Sequence, residues 1–111
     1  MDKLKISKSS KQILYTMYKE YLQRIKNGDS KQSAKIFGSS KEIRRQLFPD
    51  LRAIDVLEDL GELARNKLVS GPPADDDFYF CALTDLAIYE LENRFKNGLR
   101  EVVDFLLKLK P

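Results

Sequence analysis

The residue types that carry out most enzyme chemistry are scarce in this sequence of 111 residues. It contains no histidine, so the commonest general base and metal ligand is missing, and neither a Ser–His nor a Cys–His nucleophile pair can be assembled. Cys81 is the single cysteine, and it lies among aromatic residues on a predicted strand, where a small buried thiol is the expected occupant. The sequence therefore predicts no catalytic residue and argues against an enzyme.

Two other kinds of segment contain residues that bind ions or phosphates in many proteins. The run Asp75–Asp77 carries carboxylates, which calcium and magnesium prefer as ligands. It lacks the alternating spacing and the distal Glu of a calcium loop, so a solvated loop tip is the favoured interpretation. Gly28 and Gly71 do not lead into a helix with the Lys and Ser/Thr of a phosphate-binding loop. No metal and no cofactor is expected.

The basic residues are the remaining candidates for a binding site. Residues 1–50 hold 12 Lys/Arg against 5 Asp/Glu, a net charge of +7, whereas residues 51–111 hold 8 against 12, a net charge of −4. A basic surface of this kind favours nucleic acid as a partner. The five residues that we predict to contact DNA are Lys35, Lys41, Arg44, Arg45 and Arg52.

Two predicted helices would hold four of these five residues. The first begins at the capping box Ser39–Glu42 and ends at Pro49, because proline disfavours helical geometry at the residue before it. The second runs from about Leu51 to Lys67 and carries an apolar stripe on one side. Arg52 is then expected in the first turn of this second helix.

The remaining patterns predict one mainly helical domain with a small β-hairpin, spanning residues 1–111. The other predicted elements are a helix that follows a capping box at 9–12 and ends at 27–28, a short strand within 34–37, strands over 68–70 and 78–81 joined by a turn-rich loop, a helix over 84–95 and a C-terminal helix over 99–110.

This order of elements resembles a winged helix-turn-helix domain of the bacterial regulator type. The resemblance covers residues 39–91, about half of the chain. The segments Val56–Leu60 and Asn66–Val69 are similar to the end of the family's recognition helix and its entry into the wing. Phe80–Ala87 resembles the second wing strand and the Leu-Thr-x-x-Gly start of the next helix, with Ala87 in the place of the glycine and Asn66 in the place of a helix-ending glycine. The layout is also remotely similar to small YjcQ-type winged-helix proteins.

The resemblance implies a DNA-binding protein, a transcriptional regulator of bacterial or mobile-element type, in which Arg52 contacts a base edge. A second interpretation stays open. Asp55, Glu58, Asp59 and Glu62 are predicted to form an acidic outer face on the same helix, and phosphates would repel such a face. On this view the domain binds a protein partner through its acidic face and wing, or through its C-terminal helix.

The two ends of the chain carry further expectations. Residues 1–8 are predicted to form a flexible basic arm. In the C-terminal helix, Phe105 and Leu107 add apolar surface beside the regular stripe, which suggests either core packing or a homodimer contact. No apolar run is long enough to span a membrane and no signal peptide is recognisable, so a cytoplasmic location is expected.

Overall fold

The computed structural model describes residues 4–71, 73–74, 77–78 and 80–109. These residues form a mainly helical domain with a small antiparallel sheet, as the sequence predicts. The helices are α1 (Lys8–Lys26), α2 (Lys31–Ala34), α3 (Ser40–Leu47), α4 (Ala53–Arg65), α5 (Asp85–Arg94) and α6 (Leu99–Leu109). The strands are β1 (Ile36–Gly38), β2 (Val69–Ser70), β3 (Pro73–Ala74), β4 (Asp77–Phe78) and β5 (Cys81–Leu83).

Helix α1 forms the centre of the core. Its buried side chains include Ile13, Leu14 and Met17, and it packs against both α4 and α6. The helix ends at Asn27 and Gly28, as predicted, and Gly28 takes a left-handed φ of 106° that favours glycine. The predicted capping box at 9–12 is wrong, however. The N-cap is Ser7, whose hydroxyl accepts the backbone N–H of Ser10 at 3.1 Å.

An aromatic cluster joins α1 to the C-terminal helices. The ring of Tyr15 meets Phe95 at 5.2 Å and Phe105 at 5.4 Å between centroids, edge to face in both cases. Burial raises the pKa of the neighbouring Tyr18 to about 12. Phe105 is thus part of the packing around α1, whereas Leu107 stays 63% exposed. The two apolar residues that the sequence grouped together have different surroundings.

Helices α3 and α4 are joined by a tight turn. The predicted capping box at the start of α3 is confirmed: Ser39 accepts from the backbone of Glu42, and the Glu42 side chain accepts from the backbone of Ser39. The N–H of Leu51 donates to the carbonyl of Phe48 at 3.1 Å, so Leu51 closes the turn and does not belong to a helix. Helix α4 therefore begins at Ala53, two residues later than predicted.

The end of α4 satisfies its last carbonyl groups through two backbone hydrogen bonds. Leu68 donates to Leu63 at 2.9 Å and Lys67 donates to Ala64 at 3.0 Å, which is the Schellman arrangement. Lys67 has a left-handed φ of 62°, a conformation usually taken by glycine. The residue that occupies the glycine position is thus Lys67, one residue after the Asn66 named from the sequence.

Three strands form the main sheet in the order β1–β5–β2, with antiparallel neighbours. Strands β3 and β4 pair as a separate hairpin between β2 and β5. A side chain at Gly71, just after β2, would collide with the carbonyl oxygen of Phe80. Cys81 is fully buried, as predicted, and burial raises the pKa of its thiol to about 12. The sheet thus forms one side of the core.

Candidate nucleic-acid interface

Helix α3 presents two predicted contact residues to solvent. Lys41 and Arg45 are both exposed, and their spacing of four residues places them on the same face of the helix. Among the described residues, neither makes an ion pair. Both side chains are therefore available to bind an anion such as a phosphate group.

Arg44 lies between these two residues in sequence but has a different environment. It is half-buried, and its Nε donates to the carbonyl oxygen of Leu51 at 2.8 Å. This hydrogen bond ties α3 to the last residue of the turn that precedes α4. Arg44 therefore helps to fix the angle between the two helices.

Lys35 is held by an internal ion pair. Its Nζ lies 3.1 Å from Oδ1 of Asp85, and only 20% of the lysine side chain is exposed. The backbone carbonyl of Lys35 also accepts from Leu83 at 2.9 Å. Lys35 thus connects the start of β1 to the start of α5, and the structure does not bring it together with Lys41 and Arg45 as a free cation.

Arg52 is the N-cap residue of α4, and its side chain makes no cap hydrogen bond. Its guanidinium donates to Asp55 through Nε at 2.9 Å and through Nη2 at 3.3 Å. This hydrogen bond and the charge of Asp55 raise the pKa of Arg52. The side chain is 80% exposed, so it lies at the surface with its fork held by a carboxylate of its own helix.

Two of the four acidic residues of α4 do not belong to the outer face. Glu62 accepts from the Ser7 hydroxyl at 2.8 Å, from the Ser7 backbone at 3.1 Å and from the Ser10 hydroxyl at 2.6 Å. Asp59 accepts from the hydroxyl of Ser9 at 3.0 Å, and its Oδ1 lies 3.2 Å from the Ser10 hydroxyl oxygen. The prediction that all four acids form one outer face is wrong, because these two carboxylates cap the beginning of α1.

The electrostatics of α1 explain this arrangement. The N-terminal end of a helix carries a partial positive charge and unpaired N–H groups, which favour a nearby carboxylate. The first turn of α1 contains no acidic residue, so α4 supplies the negative charge. The hydrogen bonds from Ser10 and then Ser7 lower the pKa of Glu62. The serine cluster without a local acid was the signal in the sequence that could have revealed the contact.

The outer face of α4 is therefore nearly neutral. A helical wheel centred opposite the buried Val56, Leu60 and Leu63 places four residues on the solvent side. These four are Ile54, Glu58, Gly61 and Arg65. Ile54 is 55% exposed, and Leu51 in the preceding turn is 37% exposed. This face thus offers apolar contact and one charge of each sign.

The first described residues lie against the domain. Leu4 and Ile6 pack on the core, and Ser7 bonds to α4. Lys5 and Lys8 remain exposed. Residues 1–3 of the arm expected over 1–8 lie outside the described residues.

The β3–β4 hairpin occupies the position predicted for the wing. Strands β3 and β4 define the hairpin backbone, whereas Asp75 and Asp76 of the predicted loop tip lie outside the described residues. Within the described part of the chain, no group of three or more His, Cys, Asp or Glu side chains is placed to hold a metal ion. No helix in that part is long and apolar enough to cross a membrane.

Comparison with known proteins finds no matching family model, no matching curated protein and no matching solved structure. The likeness to winged-helix and YjcQ-type proteins therefore stays a prediction from the sequence.

Proposed function

We propose that this protein is a winged-helix protein that binds double-stranded DNA through α3 and the N-terminal half of α4. Support comes from the element order. Helices α3 and α4 lie between β1 and β2, the β3–β4 hairpin lies between β2 and β5, and the sheet order is β1–β5–β2. In a winged helix these positions belong to the helix-turn-helix and the wing. A role in transcriptional regulation follows from the same resemblance.

The observation that carries the proposal is the position of Asp59 and Glu62. Their carboxylates bond to the serines that begin α1, so they do not lie on the outward side of α4. Lys41 and Arg45 remain exposed on α3. Asp59 and Glu62 keep their charge but lie toward α1, so the acids on the rest of α4 are Asp55, which is paired with an arginine, and the exposed Glu58.

Each residue has a separate task in this proposal. Lys41 and Arg45 bind phosphates, which supplies affinity that depends on salt but not on sequence. Arg44 holds the turn so that α4 is correctly oriented. The guanidinium of Arg52 leaves Asp55 and binds a base edge or a phosphate of the DNA, because its fork of N–H donors matches both. Ile54, two residues after Arg52, is 55% exposed and offers an apolar contact of the kind made with a thymine methyl group.

The test compares wild-type protein with the double variant Lys41→Ala/Arg45→Ala in fluorescence anisotropy titrations with duplex DNA. Titrations at about 50 and 200 mM salt should show that the wild type binds and weakens steeply, because phosphate contacts release counterions. The double variant should bind about tenfold more weakly, and its log–log salt slope should fall by about 2.

A matched control removes the same charge elsewhere. Lys26→Ala/Lys96→Ala changes two exposed basic residues at the ends of α1 and α5, and it should retain wild-type affinity. Binding that is absent at 50 mM salt, or that falls equally in both double variants, would contradict the proposed interface. The first result would also favour a protein partner for the exposed apolar residues Leu51 and Ile54.

A further inference from the structure

A groove lies on the side of the domain where α1, α6 and the α3–α4 turn meet. It has a volume of about 320 Å³. Its lining has an apolar part, formed by Leu47, Phe48, Leu51, Val103, Leu106 and Leu107, and a polar part that includes Gln12, Thr16, Lys19 and Asp50. Leu107 stands on the rim and is 63% exposed. The same surface therefore carries both a projecting apolar side chain and a cavity suited to receive one.

A row of charges follows this apolar rim along α6. Arg100, Asp104 and Lys108 are all exposed, and their spacing of four residues places them in one line on the helix. The order of signs is plus, minus, plus. Among the described residues, Asp104 and Lys108 have no ion pair with another side chain.

We infer that the partner of this surface is a second copy of the same chain, which packs α6 antiparallel against α6 about a two-fold axis. In this arrangement Leu107 of each protomer enters the groove of the other. A two-fold contact uses the same patch on both copies, so the patch must complement itself. The projecting Leu107 side chain beside the groove satisfies that condition.

The charges on α6 favour one alignment of the two antiparallel helices. With the two-fold axis at the height of Leu106, Asp104 of one protomer faces Lys108 of its partner, and symmetry repeats the pair. A parallel arrangement would place the two rows of charges on opposite edges of the contact, where Asp104 could not meet Lys108 of the partner. An axis at Asp104 would oppose two aspartates and set Arg100 against Lys108. The antiparallel arrangement near Leu106 avoids both conflicts and places Leu107 close to the axis.

The first experiment measures the mass of the purified full chain by sedimentation equilibrium from about 1 to 100 µM without DNA. The wild type should dimerise in this range, and Leu107→Asp should raise the dissociation constant by about a hundredfold, because the projecting apolar side chain is lost and the new carboxylate lies close to its own copy across the axis. Leu86→Asp is the matched control, since Leu86 is 47% exposed on α5 and lies outside this groove. It should dimerise like the wild type.

The second experiment uses charge exchange. Asp104→Lys places lysines at both positions, and Lys108→Asp places aspartates at both, so each variant alone should dimerise at least about tenfold more weakly. An equimolar mixture of the two should recover the wild-type affinity as a heterodimer, because each lysine then faces an aspartate. An effect confined to one helix cannot produce this recovery.

Circular dichroism melting separates folding from association, since each variant must remain helical for its mass to be interpreted. A wild type that stays monomeric at 100 µM overturns the inference. So does a mixture that fails to recover dimers, or a dimer that Leu107→Asp leaves intact. Because no DNA is present, these outcomes are independent of the proposed DNA binding.

Discussion

The two flanks of helix α4 carry carboxylates that differ in what they contact. On the flank toward α1, Asp59 and Glu62 accept hydrogen bonds from serines that lie 49–55 residues away in the chain. Toward solvent, Glu58 is exposed. Asp55 lies on the same side of the helix as Glu62, two turns earlier, but bonds to Arg52 and not to α1. The first pair stabilises the junction of two helices. In the second pair, Asp55 holds a surface arginine and Glu58 makes the local electrostatic potential more negative.

The comparison shows that charge on a helix cannot be assigned to a binding face from spacing alone. Carboxylates at a separation of three or four residues share a side of the helix, but only the tertiary partner decides whether that side is open. In α4 the boundary between the two uses falls between Glu58 and Asp59, which are adjacent in sequence. Substitutions on the two flanks test this division.

The largest effect is expected on the outer flank. Glu58→Lys replaces a repelling charge by an attracting one on the solvent side of α4, so duplex DNA should bind about tenfold more tightly at 50 mM salt. Anisotropy titration measures the change. Glu92→Lys, at an exposed position on α5, is the control with the same charge change and should alter affinity far less. Equal gains in both variants would mean that net charge alone decides the affinity.

The inner flank should affect stability instead. Glu62→Gln weakens three hydrogen bonds to Ser7 and Ser10 and removes the negative charge at the start of α1, which should lower the free energy of unfolding by about 1 kcal/mol. Glu58→Gln should change it by less than about 0.5 kcal/mol. Urea denaturation followed by circular dichroism measures both. A Glu62→Gln protein as stable as Glu58→Gln would show that the junction contributes nothing.

The stability gap between wild type and Glu62→Gln should depend on pH. The pKa of Glu62 is lowered in the folded protein from an ordinary value of 4.5, so its contribution is fully present above pH 4.5 and is lost as the pH falls through the folded pKa. Urea denaturation at pH 7 and at successive values below 4.5 should show the gap closing. A gap that widens toward acid would have the wrong sign for this account.

The smallest effect is expected at the paired arginine. Asp55→Asn removes the ion pair with Arg52 and leaves the guanidinium free for a phosphate or base, so DNA affinity should rise about threefold. Arg52→Ala should reduce it, and Asp55→Asn should raise affinity less in the Arg52→Ala protein than in the wild type. If Asp55→Asn raises affinity equally with and without Arg52, the aspartate acts only through long-range repulsion.

Much of the fold could be predicted from local patterns in the sequence. The capping box at Ser39–Glu42, the helix end at Gly28 and the buried Cys81 are all confirmed. Each depends on residues close in sequence or on simple hydrophobic character, which a linear pattern contains. The start of α4 was misplaced because Leu51 closes a turn by a backbone hydrogen bond to Phe48, and many residue types can occupy that position.

The site was harder to predict because its surroundings come from distant parts of the chain. The sequence predicts Lys35 as a DNA contact, but Asp85 pairs with it from 50 residues away. Ser7 is the N-cap of α1, and its hydroxyl also donates to Glu62 on α4. No local sequence pattern contains that contact. Only Lys41 and Arg45, which have no such distant partner among the described residues, keep the environment that the sequence suggested.

The central claim is that one side of α3 and α4 faces DNA while the α1 flank of α4 does not. The most direct measurement is a titration of uniformly ¹⁵N-labelled protein with a duplex of about 16 base pairs, followed by amide chemical-shift changes in NMR spectra. The account predicts changes concentrated at Lys41, Arg45, Arg52 and Ile54, with Glu62 little affected. Changes concentrated on α5 and α6, or no changes at saturating DNA, would contradict it.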